Sequence, residues 1–352
     1  MNSNALDIFA CPACGAGLEL TPAGIGSDRT QIAEGEFTCV GCRATYPIIN
    51  SVARFVPSES YTESFGFQWN KFPTLQLDKV MNNQFSRDRF YLETGWPRHL
   101  EGERILEAGC GAGRFTELAL ETGAEVFSFD LSNAVEAAWK NHGGAPNLHL
   151  FQASIYQIPL RRGVFDKIFC MGVLQHCPDV KGAFMSLIPY LREGGEIVID
   201  VYKKWDWVPA LKYWARPLVG RMKPETLFNL LRLSIPALYD IKKTVNKAPG
   251  VGRRLAALIP IGPLSHAPRL NYTEEELKQI KILSAFDMLS PKFDQPQRME
   301  DVRAWFSEAG LVKVEVGPGP NGITAKGTKP GSGNKITRSS DAQQGARMHA
   351  NG

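Results

Sequence analysis

Leu106-Glu-Ala-Gly-Cys-Gly-Ala-Gly-Arg-Phe115 is the stretch that decides the fold of this chain. Arg104-Ile-Leu-Glu-Ala108 reads as a short buried strand, and it runs into Gly109, Gly111 and Gly113. Apolar residues then recur at helical spacing over 114–122 and stop at Gly123. Strand, glycine bend and helix together bring backbone close to a nucleotide at the carboxyl end of a parallel sheet. The next strand, Glu125–Phe129, ends in Asp130, 21 residues after Gly109, where an acid can hold both ribose hydroxyls.

The glycine spacing selects among nucleotides. A dinucleotide site uses G-x-G-x-x-G to receive a pyrophosphate. Here the third glycine comes one residue early and position 114 is Arg. Glu107 stands two residues before the first glycine, where a carboxylate repels a pyrophosphate but suits an ammonium group, met directly or through water. A ligand with an amino-acid end and an adenosine end satisfies both conditions. S-adenosylmethionine fits; a nicotinamide dinucleotide does not.

Residues 106–115 resemble the first motif of class I S-adenosylmethionine-dependent methyltransferases, and Phe129-Asp-Leu-Ser132 resembles the second. Gln152–Pro159 is similar to the loop after the third strand, Phe165–Asp179 to the fourth strand and its exit, and Leu191–Ile199 to the Gly-Gly turn into the fifth. The order and spacing of these motifs place the resemblance nearest the ubiquinone/menaquinone-methylase-like methyltransferase domain. It implies an α/β fold, doubly wound, with a mostly parallel seven-stranded sheet. Carried over by position, Glu107, Gly109, Gly111 and Gly113 would cradle the methionine end, Asp130 would bind ribose and Leu131 would pack on adenine. The family usually has an acid in the third-strand loop, contacting the adenine amino group. This chain has Ser154 there, beside Ile155, and a hydroxyl accepts that hydrogen bond more weakly. Upstream, Tyr61–Asn70 resembles the segment that related enzymes lay over the cofactor. Gln68 and Trp69 are its candidate wall, the alternative being that these aromatics seal two domains together.

Cys11-Pro-Ala-Cys14 and Cys39-Val-Gly-Cys42 form two C-x-x-C knuckles. Each tight turn aims two sulfurs at one ion, and the pair completes a tetrahedron that leaves no open position for catalysis. A structural zinc ribbon is expected. Cys39–Asn50 resembles the second knuckle of small zinc-ribbon domains found beside or fused to methyltransferases. Cys110, Cys170 and Cys177 lie in apolar segments and are expected in the core.

The chain has 352 residues, 43% hydrophobic and 22% charged, a globular composition. It has no apolar run of the ~20 residues that a membrane-spanning helix needs. Its N-terminus has neither a basic n-region nor a long apolar h-region, so a cytoplasmic location is expected. Expected divisions are a ribbon over 1–57, a linker with cofactor-covering helices over 58–103, a core over 104–202, a helical lid over 203–297, core elements over 298–328 and a disordered tail over 329–352.

Charge is uneven. Residues 203–254 hold twelve Lys/Arg against three acids, a net +9 in a chain of net +4. The basic stretch 203–264 reads either as a solvated helical face or as contact with an anionic substrate or a membrane surface. Prolines are expected to cut the insertion into short helices. Trp205, Trp207 and Tyr213 are candidate substrate contacts or simple core, and His266 is a further candidate. Ala285–Asp294, of the form D-x-x-S-P-x-x-D, resembles a stretch of the zinc-ribbon methyltransferases.

Methyl transfer to a hydroxyl or amine needs alignment and loss of a proton. His176, after the fourth strand, is a candidate general base; capping the next helix or lining the pocket are the other readings. The expected function is methyl transfer to an O or N atom of a small anionic or aromatic metabolite. The rivals are an RNA base methyltransferase and a noncatalytic cofactor-binding adaptor. Nucleic acid is not the expected partner, because no Asn/Asp-Pro-Pro-Tyr motif occurs and the ribbon is poor in Lys/Arg.

Overall fold

Hairpin strands come first, then strands alternating with helices, and both halves build a single sheet. The computed structural model describes residues 3–25, 32–56, 61–204, 216, 219–220, 222–259, 261 and 272–331. In the ribbon, β1 (Leu18–Ile25), β2 (Ile32–Cys39) and β3 (Thr45–Ile49) run antiparallel, and β4 (Val52–Arg54) turns back beside β3. Three helices follow, α1 (Glu63–Lys71), α2 (Asp78–Met81) and α3 (Phe85–Thr94). The core then alternates β5 (Arg104–Ala108), α4 (Thr116–Glu121), β6 (Glu125–Asp130), α5 (Val135–His142), β7 (Leu148–Gln152), β8 (Phe165–Cys170), α6 (Val180–Leu187) and β9 (Leu191–Val201). After the insertion come α10 (Met299–Glu308), β10 (Val312–Gly319) and β11 (Gly322–Thr328).

The order β7-β6-β5-β8-β9-β11-β10 gives the expected seven-stranded core, parallel except for β11. Every residue of β7 is buried, as strands covered on both faces require. The sheet is larger than the sequence predicts. Ala53 and Arg54 of β4 pair in parallel with Phe151 and Gln152 of β7, so the ribbon adds four strands and the sheet has eleven. Packing explains the merger. Phe9 meets Phe37 at 5.7 Å and Phe151 edge-on at 5.4 Å, and Phe55 meets Phe151 at 6.3 Å. Fully burying one phenyl ring contributes about 1.5–3 kcal/mol, so these rings fix ribbon to core more firmly than two strand pairs do.

In the lid, α7 (Pro224–Asn246), α8 (Gly252–Ala257) and α9 (Glu274–Leu289) form a cluster of their own, with Phe228, Ile235 and Tyr239 packed against Ile282 and Phe286. Phe67 of α1 joins it, 5.6 Å from Phe228 and 5.7 Å from Phe286. The predicted cutting by prolines fails at Pro236, which sits inside the 23-residue α7. Proline there forfeits one backbone bond, but the buried Leu231, Ile235 and Tyr239 hold both halves of the helix to α9. Thr273 and Glu276 form the expected capping box at the start of α9. Among the described residues, no helix is long and apolar enough to cross a membrane. The predicted contacts Trp205, Trp207, Tyr213 and His266 lie outside the described residues, as does the tail from 332.

Candidate active site

The bend after β5 opens into a cavity of about 320 Å³ roofed by α1 and α9. Gly109 and Gly111 sit on its wall at φ of +81° and +55°, a backbone region that side chains rarely tolerate. Contact makes glycine necessary as well: a Cβ on Gly109 would lie 2.3 Å from Val173 Cγ2, and one on Gly111 would lie 3.0 Å from Trp69 Nε1. Asp130, at the end of β6, holds the bend. Its Oδ2 accepts from the Gly111 amide at 3.0 Å, while Oδ1 accepts from Ser132 N at 2.8 Å and from Ser132 Oγ at 2.7 Å. Burial raises its pKa above the ordinary carboxylate range, and the donors from Ser132 and Gly111 oppose that rise.

Of the residues singled out from sequence, Gly109, Gly111, Asp130, Leu131, Ile155, Gln68, Trp69 and His176 line this one cavity. Three do not. Glu107 is buried beneath the bend, where its Oε2 accepts from Thr116 Oγ1 at 2.5 Å and Ser128 Oγ at 2.6 Å. Its register partner in β6 is Ser128, so the side chain ties two strands to α4. Gly113 makes room for α5: a Cβ there would lie 2.4 Å from His142 Cδ2. The Ser154 hydroxyl turns into its own loop, where it accepts from Tyr156 N at 3.3 Å.

Sequence reasoning did not assign the two arginines on the wall. Arg114, which displaces the third dinucleotide glycine, donates from Nε to Ser86 Oγ at 2.9 Å, and its guanidinium lies 4.9 Å from the Phe115 ring centre. Burial, then the neighbouring Arg89 charge, pulls its pKa down to about 10, which leaves it charged at neutral pH. Arg89 binds Glu93 Oε1 at 2.7 Å and the carboxylate of Asp200. Asp200 in turn accepts from the Gly172 amide, so this pair braces the loop after β8. No spacing rule links Arg89 to Asp200 across 111 residues.

His176, Tyr202, Asp287 and Met288 also line the cavity. His176 Nδ1 lies 2.9 Å from the Phe293 carbonyl, and its ring is held between Phe65 at 5.0 Å and Tyr202 at 5.5 Å. It does not cap the next helix; Asp179 does, accepting from Gly182 N. Asp287 Oδ1 accepts from Gln68 Nε2 at 3.2 Å, which ties the two roof helices. Gln68 Oε1 is buried with no hydrogen-bond partner among the described residues. The signal for this side of the cavity was the D-x-x-S-P-x-x-D stretch, which supplies both Asp287 and Phe293.

In the ribbon, Cys11, Cys14, Cys39 and Cys42 put four Sγ atoms within 4.8 Å of one another. Cys14 and Cys39 are 3.4 Å apart, Cys11 and Cys42 3.6 Å. Four thiolates bonded to one zinc at about 2.3 Å stand roughly 3.8 Å apart, so this set matches the ion's geometry. The Cys42 amide, 3.4 Å from Cys39 Sγ, helps draw that thiol down to about 6.

The glycine corner, the parallel sheet and the clustered cysteines define a doubly wound α/β protein with a cysteine-knuckle ribbon. Residues 106–199 match the methyltransferase-domain family and residues 5–51 match the Trm112p-like protein family, in line with the methyltransferase-type fold and the clustered ribbon cysteines. An uncharacterized protein of Synechococcus is 36% identical over 115 residues, covering 31% of this chain and 28% of that protein. A ubiquinone biosynthesis O-methyltransferase of Coxiella burnetii is 28% identical over 134 residues, covering 38% of this chain and 54% of the enzyme. The chain therefore matches about half or less of these relatives' length. Among solved structures, the complex of the Haloferax volcanii Trm112 methyltransferase activator with a putative methyltransferase aligns at 13% identity and a TM-score of 0.42, covering 76% of this chain and 98% of that one.

Proposed function

We propose that this chain transfers a methyl group from S-adenosylmethionine to an oxygen or nitrogen atom of a small anionic or aromatic acceptor. One observation carries the reading: a single cavity joins the Gly111–Asp130 corner to His176, Tyr202 and Asp287. The corner suits a nucleoside, with the Asp130 carboxylate for the ribose hydroxyls and Phe129, Leu131 and Ile155 as an apolar slot for adenine. Arg114, which donates to Ser86 and Gln76 but pairs with no carboxylate among the described residues, is the proposed cation for the amino acid's carboxylate, since Arg89 is spent on Glu93 and Asp200. Four ribbon cysteines are the proposed ligands of a structural zinc.

S-adenosylmethionine, when bound, supplies an electrophilic methyl on a sulfonium. The protein's part is to align the acceptor, exclude water and take a proton. Carbonyls only accept hydrogen bonds, so the Phe293 contact puts the hydrogen of neutral His176 on Nδ1 and leaves the lone pair on Nε2. That nitrogen would take the proton released from the acceptor's O–H or N–H. Calorimetric titration of the full chain tests the cofactor assignment. S-adenosylhomocysteine is expected to bind and NADH is not; the reverse, or neither, overturns the reading.

A further inference from the structure

Half of the large apolar side chains that the described residues expose fall within one segment: seven of fourteen lie between Met222 and Leu258. They follow a pattern. On α7, Leu230, Leu233 and Ile241 recur at i, i+3 and i+11, on a face turned away from the buried Phe228, Ile235 and Tyr239. On and around α8, Val251, Leu255 and Leu258 recur at i, i+4 and i+7, with Leu258 78% exposed. Water-facing leucines at helical spacing mark a surface built to be covered.

The charge around them says what covers it. Lys223, Arg232, Lys247, Arg253 and Arg254 are exposed and form no ion pair with described residues. The other two cations of the segment are engaged: Lys242 is buried and donates to the carbonyls of Ile259 and Ile261, and Lys243 pairs with Glu274. Of its two acids, Asp240 pairs with Lys278, which leaves only Glu225. An apolar stripe within a one-signed cationic field is the pattern of a helix that lies in the interface of an anionic bilayer, apolar side toward the acyl chains and cations at the headgroups.

We infer that the α7–α8 hairpin docks on an anionic phospholipid bilayer. Its inner face packs on α9, which supplies Leu283, Asp287 and Met288 to the cavity, so docking brings the cavity roof to the lipid surface. Given the methyl-transfer reading, on which this last step rests, the acceptor is a molecule dissolved in that bilayer.

Vesicle co-sedimentation of the full chain tests the docking. Phosphatidylglycerol–phosphatidylcholine vesicles are expected to carry the protein down, with pure phosphatidylcholine binding at least about tenfold less, and with binding falling as salt rises. Leu233→Glu with Leu258→Glu should abolish sedimentation, and Arg253→Gln with Arg254→Gln should weaken it several-fold. Both pairs sit at exposed positions, and an unchanged thermal midpoint checks that each variant is folded. No binding, equal binding to neutral vesicles, or a stable dimer that Leu233→Glu dissociates would overturn the inference; the dimer would mean that a second copy covers the stripe. Titration with S-adenosylhomocysteine runs beside these assays, so loss of the cofactor reading and loss of the membrane reading appear as separate failures.

Discussion

The amide of Gly111 donates a 3.0 Å hydrogen bond to Oδ2 of Asp130. The acid that ends β6 thereby holds the glycine bend that follows β5, and it also lines the cavity. Asp130→Ala should weaken S-adenosylhomocysteine binding about ten- to a hundredfold, since hydrogen bonds to a charged group contribute roughly 1.5–3 kcal/mol. Unchanged affinity in calorimetry would place the nucleoside elsewhere.

Gly109→Ala adds a Cβ at φ +81° and 2.3 Å from Val173 Cγ2. Strain of this kind costs about 1–3 kcal/mol and overpacking a similar amount, so the variant should unfold more easily by about 3 kcal/mol. Val173→Ala in the same chain should recover the overpacking share only. Full recovery would mean that the backbone angle carries no penalty.

Cys39→Ser removes one of four clustered thiols. The purified variant should hold less than the one zinc per chain expected of the wild type, and its ribbon should become sensitive to proteolysis. Phe9, Phe37 and Phe55 bind ribbon to core, so the thermal midpoint of the whole chain should fall too. A wild-type protein that is metal-free by elemental analysis after gentle purification contradicts this.

Burial pushes the Glu107 carboxyl up to about 7 from an ordinary 4.5, against the donors Ser128 and Thr116. The folded state holds this proton more tightly than the unfolded chain. The stability it confers is present below about pH 4.5 and lost as pH rises through about 7. Unfolding free energy should therefore fall across that window, by an order of about 3 kcal/mol at one unit of pKa per 1.36 kcal/mol. Glu107→Gln, which cannot ionise, should flatten the fall; parallel curves in denaturant titrations at several pH values would refute the assignment.

His176→Gln keeps a side chain of similar reach and removes the base. With an acceptor in hand, turnover should drop about a hundredfold, with cofactor affinity unchanged. A few-fold drop would reduce His176 to a wall of the pocket.

Local pattern carried much of this molecule. Three close glycines force a bend whatever surrounds them, and buried strands alternating with helices at this spacing admit few sheets. Asp130, two C-x-x-C turns and the Thr273 capping box could be placed from neighbouring residues alone, because each is a short-range device. Spacing gave Glu107 its position on β5, but the hydroxyls of Ser128 and Thr116 meet it only once β6 and α4 pack around it.

The amino-acid sequence thus determined a doubly wound core, the glycine corner closed by Asp130 and the cysteine cluster. Tertiary structure alone decided that β4 pairs with β7, that Arg89 is spent on Asp200, that Gln68 reaches Asp287 across the roof, and that the leucines of α7 and α8 face water. Turns and strand ends answer to steric rules acting over a few residues. Pairings over a hundred or more residues depend on which surfaces bury one another, and no local spacing records that choice.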